Sequence, residues 1–169
     1  KTAYFFRGAE LFALEVNSGA VAPVKLDVPV AIPAAIALAP NGELVVADRG
    51  KDMQIKRYSR QGKLLARYGK TGGRERSGKF VPEAMRDMTG VAVARDGNIW
   101  VAEYTHFPRR VSVWGPDGKL VRDYIGNAGY AGTGCFMHDQ DPDRGFAGPH
   151  EMKLNYQNHT WKMDQGLWN

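Results

Sequence analysis

The sequence predicts an all-β protein made of β-propeller blades, each a sheet of four antiparallel strands. Three observations predict it: a repeat with a period of about 55 residues, Asn-Gly and Asp-Gly pairs set between short apolar runs, and 20 glycines with 9 prolines spread over 169 residues. Many tight turns between short runs favour short strands over long helices.

The repeat aligns residues 36–68 with 91–124. Ala37 falls on Ala92, Gly42 on Gly97, Val46 on Val101, Ala47 on Ala102, Gly62 on Gly118, Leu64 on Leu120 and Tyr68 on Tyr124, with one extra residue in the second copy. In the first copy an apolar strand over 35–39 meets the turn Pro40-Asn41-Gly42, followed by strands over 43–47, 54–58 and, after Gln61-Gly62, 64–68. In the second copy the strands fall over 91–94, 98–102, 110–114 and 120–125, with turns at Arg95-Asp96-Gly97 and Asp117-Gly118. Asn-Gly and Asp-Gly supply the positive φ that a two-residue hairpin turn requires. Four antiparallel strands in sequence make one propeller blade.

The flanks fit the same frame. Residues 3–6, 10–16 and 21–26, with the turn Asn17-Ser18-Gly19, read as the second, third and fourth strands of a blade without its innermost strand. Residues 134–137, 145–147, 151–155 and 160–164 read as a fourth blade, its first turn enlarged over 139–144. The whole chain, 1–169, is one propeller segment with blades at about 1–30, 33–70, 88–127 and 133–169, 15 strands in total. Terminal blades without neighbours leave apolar sheet faces, including some of Phe5, Leu11, Leu14, Trp161 and Met163. The remaining blades of the same protein, another chain or self-association must cover them.

The stretches LVVADRGKDMQIKRYSRQGKL and IWVAEYTHFPRRVSVWGPDGKL resemble NHL-repeat propellers over residues 33–126. Glu103 stands where that family has Asp, Gln54 where Arg is common, and the connection over 69–88 is longer than the family needs. The resemblance implies part of a six-bladed or larger propeller, and a periplasmic or extracellular location. It also raises the rival reading, a fragment of a metal-dependent hydrolase or lyase of the lactonase, esterase or amidating-lyase kind. The lactonases among such relatives hold calcium with Glu, Asn and Asp at the starts of innermost strands. Those positions here are Ala34-Ala35 and Thr89-Gly90, which bring no ligand set for a hard cation.

Composition narrows the function classes. Apolar residues at 43% and charged residues at 24% mark a folded globular chain, and no apolar run is long enough to span a bilayer. The start, Lys1-Thr2-Ala3-Tyr4, has neither an initiator Met nor a leader pattern, as in a processed or excised chain. A net charge of +5, scattered rather than clustered and without a nucleic-acid motif, argues against a nucleic-acid partner. The single Cys135 forms no internal disulfide and reads as core; His138, three residues on along a strand, points to the other face.

Several acids invite a catalytic or metal reading. Asp139, Asp141 and Asp143 have calcium-loop spacing, but Arg144 and His150 occupy the positions that need Gly and a bidentate Glu, so an enlarged hairpin turn is expected. Asp48 and Glu103 end equivalent second strands. Their recurrence favours a structural carboxylate accepting backbone N–H bonds over a catalytic pair. No catalytic residue, metal or cofactor is assigned. Trp100, Trp114, Trp161 and Trp168 read as packing between blades.

Function is expected on one face, where the connections between second and third strands and the interblade loops come together. The candidate ligand-binding residues are Arg49, Lys51, Tyr104, His106, Arg109 and His150. The interblade connection 70–87 adds Lys70, Arg74, Arg76, Lys79 and Arg86 against Glu75, Glu83 and Asp87. Such a basic, aromatic-flanked rim suits a protein tail or an acidic glycan, so the chain is read as a non-catalytic binding or scaffolding module.

Overall fold

The computed structural model describes residues 1–75, 80–104, 108–126, 135–147 and 150–166. Four antiparallel sheets follow one another along the chain. The first contains β1 (Thr2–Arg7), β2 (Glu10–Glu15) and β3 (Ala20–Val24). The second contains β4 (Pro33–Leu38), β5 (Leu44–Asp48), β6 (Gln54–Tyr58) and β7 (Leu64–Tyr68). The third contains β8 (Met88–Val93), β9 (Ile99–Glu103), β10 (Arg110–Trp114) and β11 (Leu120–Ile125), and the fourth β12 (Cys135–Met137), β13 (Arg144–Ala147), β14 (His150–Asn155) and β15 (Thr160–Gly166). In each sheet every strand pairs with its neighbour in the chain. Among the described residues no helix is long and apolar enough to cross a membrane.

Two strand starts lie earlier than the apolar pattern indicates. β4 begins at Pro33 and β8 at Met88, and in both the register slips just afterwards, between Pro33 and Ala35 and between Met88 and Gly90. A bulge puts two residues opposite one and breaks the period of two on which the sequence reading relies. The first residue of a strand also tolerates Pro, whose missing N–H is not needed there.

The second sheet shows how the blades are held. All five residues of β5 are buried, and alternate side chains enter two different cores. Leu44 and Val46 join Tyr58, Leu11 and Val30, with Tyr4, Phe6 and Val24 packed around them, which seats the second sheet on the first. Val45 and Ala47 join Ile55, Met88, Ile99, Val101 and Trp114, which seats it on the third. A near-continuous apolar run is what a strand covered on both faces needs. Leu11, expected on a bare outer face, is buried in the first of these cores because its partner Phe6 and the residue beyond, Val24, all point toward the second sheet. Trp114 packs between blades as expected, whereas Trp100, on the other side of its sheet, is 39% exposed and stacks on Tyr124 with centroids 5.8 Å apart. Trp168 and the side chains of Cys135 and Met163 lie outside the described residues.

A further contact recurs from blade to blade. The turn between third and fourth strands of the second sheet receives the end of the first sheet: Asp27 N donates to Gly62 O at 3.0 Å and Leu64 N to Asp27 Oδ1 at 2.8 Å. The corresponding turn of the third sheet receives Tyr68, whose hydroxyl donates to Pro116 O at 2.7 Å and whose ring lies 3.0 Å from where a Cβ on Gly118 would sit. Gly62 has φ +87°, and a Cβ there would meet Lys25 O at 2.1 Å. Gly62→Ala is therefore expected to lower the unfolding free energy by about 2–4 kcal/mol, from backbone strain plus a clash with main chain that cannot swing aside. Urea denaturation with an unchanged m-value checks this.

Candidate functional site

At one end of the second and third sheets, the second strands finish in the acids Asp48 and Glu103, both buried. Asp48 accepts N–H bonds from Ala31 (3.2 Å), Ile32 (3.0 Å) and Gly50 (2.9 Å), and Lys56 Nζ lies 2.7 Å from its Oδ2. Lys56 in turn donates to Pro29 O at 3.0 Å and sits 3.5 Å from Asp52. Burial alone pushes the Asp48 carboxyl up, but Lys56 and the three amides outweigh it and hold the group below the usual carboxylate range.

Glu103 occupies the same place in the third sheet with a different retinue. Arg110 Nε approaches it at 2.6 Å, Arg74 Nη2 at 3.0 Å, and the amide of Arg86 donates to it at 2.7 Å. Arg110 also donates to Pro82 O at 2.6 Å and Arg74 to Ala84 O at 3.1 Å. The Phe80 ring lies near both guanidinium groups, 5.3 Å from that of Arg74 and 5.7 Å from that of Arg110. Burial pushes the Glu103 carboxyl up despite Arg110 and Arg74. Both acids thus clamp the connection that enters their own blade, and Asp48 the one that leaves β5 as well, which is the structural role the repeat predicts.

The connection over 70–87 consequently differs from the expected basic rim. Arg74 is buried on Glu103, and Arg86 donates inward to Arg74 O at 2.7 Å. Two of its cations hold the loop down; Arg76 and Lys79 lie outside the described residues. For the strand cations the sequence carries a signal: Lys56 and Arg110 stand on the same faces of their strands as the acids that end β5 and β9, so each meets a carboxylate.

Directly after the clamped acids come the residues expected to bind. Arg49 and Lys51 are exposed in the connection 49–53, with Arg49 N anchored to Ile32 O at 2.8 Å. In the equivalent position Tyr104 is 66% exposed, its N bonded to Asp87 O at 3.2 Å. The structure brings Tyr104 together with Arg109, whose guanidinium lies 5.6 Å from the ring centroid. Beside Arg109 a cavity of about 320 Å³ opens between Ala102, Val111, Tyr124 and Ile125. His106 lies outside the described residues. His150, expected in a connecting loop, instead opens β14 and pairs with Ala147 and Gly166, because the strand extends one residue further than its apolar pattern.

The enlarged turn of the fourth sheet spans 138–143. Asp141 Oδ1 accepts the amide of Asp143 at 3.1 Å, its main-chain O accepts that of Arg144 at 3.0 Å, and Arg144 Nε lies 3.7 Å from Asp141 Oδ2. No group of three or more His, Cys, Asp or Glu that could hold a metal ion occurs among the described residues.

No protein-family model and no curated protein matches this chain. Solved structures do. The virginiamycin B lyase of Staphylococcus aureus superposes with a TM-score of 0.52 at 12% identity, over 97% of this chain and 52% of that one. A protein assigned as a gluconolactonase superposes with a TM-score of 0.51 at 19% identity, over 95% of this chain and 47% of that one. At this level of identity the similarity is one of fold: these sheets are propeller blades. The chain spans about half the length of the solved structures it matches.

Proposed function

We propose that the chain is a binding module whose loop face recognises an anionic protein segment or acidic polysaccharide outside the cytoplasm. One observation carries this reading. At the ends of β5 and β9 the carboxylates point inward and are taken up by main-chain amides and buried cations, while the positions just beyond present Arg49, Lys51 and Tyr104 to solvent, with the half-buried Arg109 beside the Tyr104 ring. A rigid frame carrying outward cations beside an aromatic ring suits carboxylate recognition, with the ring offering a face to a sugar or an apolar side chain.

The test uses polygalacturonate and a poly-glutamate peptide as anionic probes and dextran as the neutral one, titrated by calorimetry. Binding of at least one anionic probe is expected, weakening with salt. Arg109→Ala and the pair Arg49→Ala with Lys51→Ala are each expected to weaken it about tenfold, the loss of one to two charge-assisted contacts. Equal affinity for dextran, or indifference to all three substitutions, contradicts the proposal. The second reading is a metal-dependent hydrolase or lyase, favoured by the enzyme names of both solved structures above. Lactone hydrolysis or lyase turnover abolished by a chelator would establish it.

A further inference from the structure

We infer that the cavity beside Arg109 takes a bulky apolar side chain, so that the loop face reads an acidic peptide carrying a phenylalanine- or leucine-sized residue next to its acids. This deepens the anionic reading above and rests on it. The cavity, of about 320 Å³, lies at the end of the third sheet, where the start of β10 meets the ends of β9 and β11. Ala102, Val111 and Tyr124 stand opposite one another across these three strands and form its wall together with Ile125 and Gly126. The Tyr124 ring is held in place by its stack on Trp100 and by the Arg122 guanidinium, 5.9 Å from its centroid. A dry apolar cavity of about 150 Å³ already holds a benzene ring, so this one has room for a phenylalanine or leucine side chain.

The polar groups that border the cavity decide what else the ligand carries. Glu103 and Arg110 alternate with Ala102 and Val111 along their strands, so their side chains leave on the other side of the sheet. There Glu103 pairs with Arg110 and Arg74, and Arg110 reaches Asp123 as well; the Arg110 Nη2 that stays unpaired is on that side too. Arg109 is different. It falls two residues before Val111, on the cavity side, and its Nε is out of water with no hydrogen-bond partner among the described residues. A buried donor in that state favours a ligand that brings an acceptor, and a guanidinium favours a carboxylate. The ligand therefore sets an apolar side chain in the cavity and an acid on Arg109 beside it, while the exposed Arg49 and Lys51 of the neighbouring blade take further acids. A polysaccharide meets these walls badly. A sugar ring carries hydroxyls around its rim, and each one enclosed by Ala102, Val111 and Ile125 loses water without gaining a partner. In an acidic peptide the apolar and charged groups sit on separate side chains, so one is buried and the other paired.

Three peptides of one length, titrated by calorimetry, test this: glutamates flanking one phenylalanine, the same with alanine in its place, and phenylalanine flanked by glutamines. The glutamate–phenylalanine peptide is expected to bind about tenfold tighter than either of the others. Ala102→Leu fills the cavity, and Ile125→Ser strips its rim at a side chain that is 55% exposed, where folding tolerates the change. Each is expected to bring the two glutamate peptides to within about threefold of each other, so the result does not hang on one variant. Equal affinity of the parent protein for the two glutamate peptides overturns the inference and leaves the anionic reading standing, and so does tighter binding of polygalacturonate than of the glutamate–phenylalanine peptide. Equal affinity for the glutamate and glutamine peptides that carry phenylalanine overturns the anionic reading itself, and the inference with it. A phenylalanine preference that survives both substitutions overturns the inference as well, because then another surface takes the ring.

Discussion

Glu103→Ala is expected to lower the unfolding free energy by about 3–5 kcal/mol, the effect of breaking a buried ion pair by removing one partner. The side chains of Arg110 and Arg74 are 0% and 3% exposed, so both guanidinium groups stay in the interior without Glu103, and Arg110 keeps only the longer contact to Asp123 at 3.4 Å. The Arg86 amide, 2.7 Å from Glu103, loses its acceptor as well. The loss falls on one connection, residues 70–87, and on the strand ends it joins. Hydrogen exchange should therefore show the amides of Arg86 and Arg74 opening before those of β5. A Glu103→Ala variant as stable as the parent would mean that the arginines find water or other acceptors, and that the clamp adds little.

Asp48→Ala is expected to be comparably damaging, at about 3–5 kcal/mol, because three main-chain donors and Lys56 lose their acceptor together. Its pH behaviour separates it from Glu103. The folded Asp48 carboxyl titrates below its unfolded value, so the unfolded chain binds the proton more readily. The stability it contributes is fully present above about pH 4, the unfolded carboxylate value, and is lost as pH falls through the lower folded one. Glu103 has the opposite sign. Its folded pKa is raised, so its ionisation costs stability as pH rises from the unfolded value through the folded one. Asp48→Asn should accordingly flatten the acid limb of a stability–pH curve, while Glu103→Gln should not. Identical acid limbs for Asp48→Asn and the parent would contradict the assignment.

The fold was largely legible because its signals are local. Gly42 and Gly97 take the positive φ that marks two hairpins, +86° and +85°, although each loop has three residues, closed by Ala39–Glu43 and Ala94–Asn98, rather than the two-residue turn expected; the apolar run of β5 needs no partner to be read. What escaped depends on groups distant in sequence or on a broken period. The bulges after Pro33 and Met88 hide the true starts of β4 and β8, and His150 joins a strand whose pairing extends beyond its apolar residues. At the candidate site, the inward role of Asp48 and Glu103 followed from their recurrence. The conversion of Arg74 and Arg86 from rim to interior did not, because charge counting along 70–87 carries no information about which cations face a buried carboxylate.

The two clamps also bear on how a blade assembles. Asp48 binds the amide of Ala31 and Glu103 that of Arg86, and each bond joins residues 17 apart. Each therefore closes a short loop containing the first two strands of its own blade, at an entropy cost set by that loop alone. Whatever chain precedes the clamped amide does not enter this cost. The second and third blades keep the same clasp although the approach to one is far longer than to the other. A blade so fastened relies on contacts of short range for this clasp and tolerates insertions upstream of its fastening point.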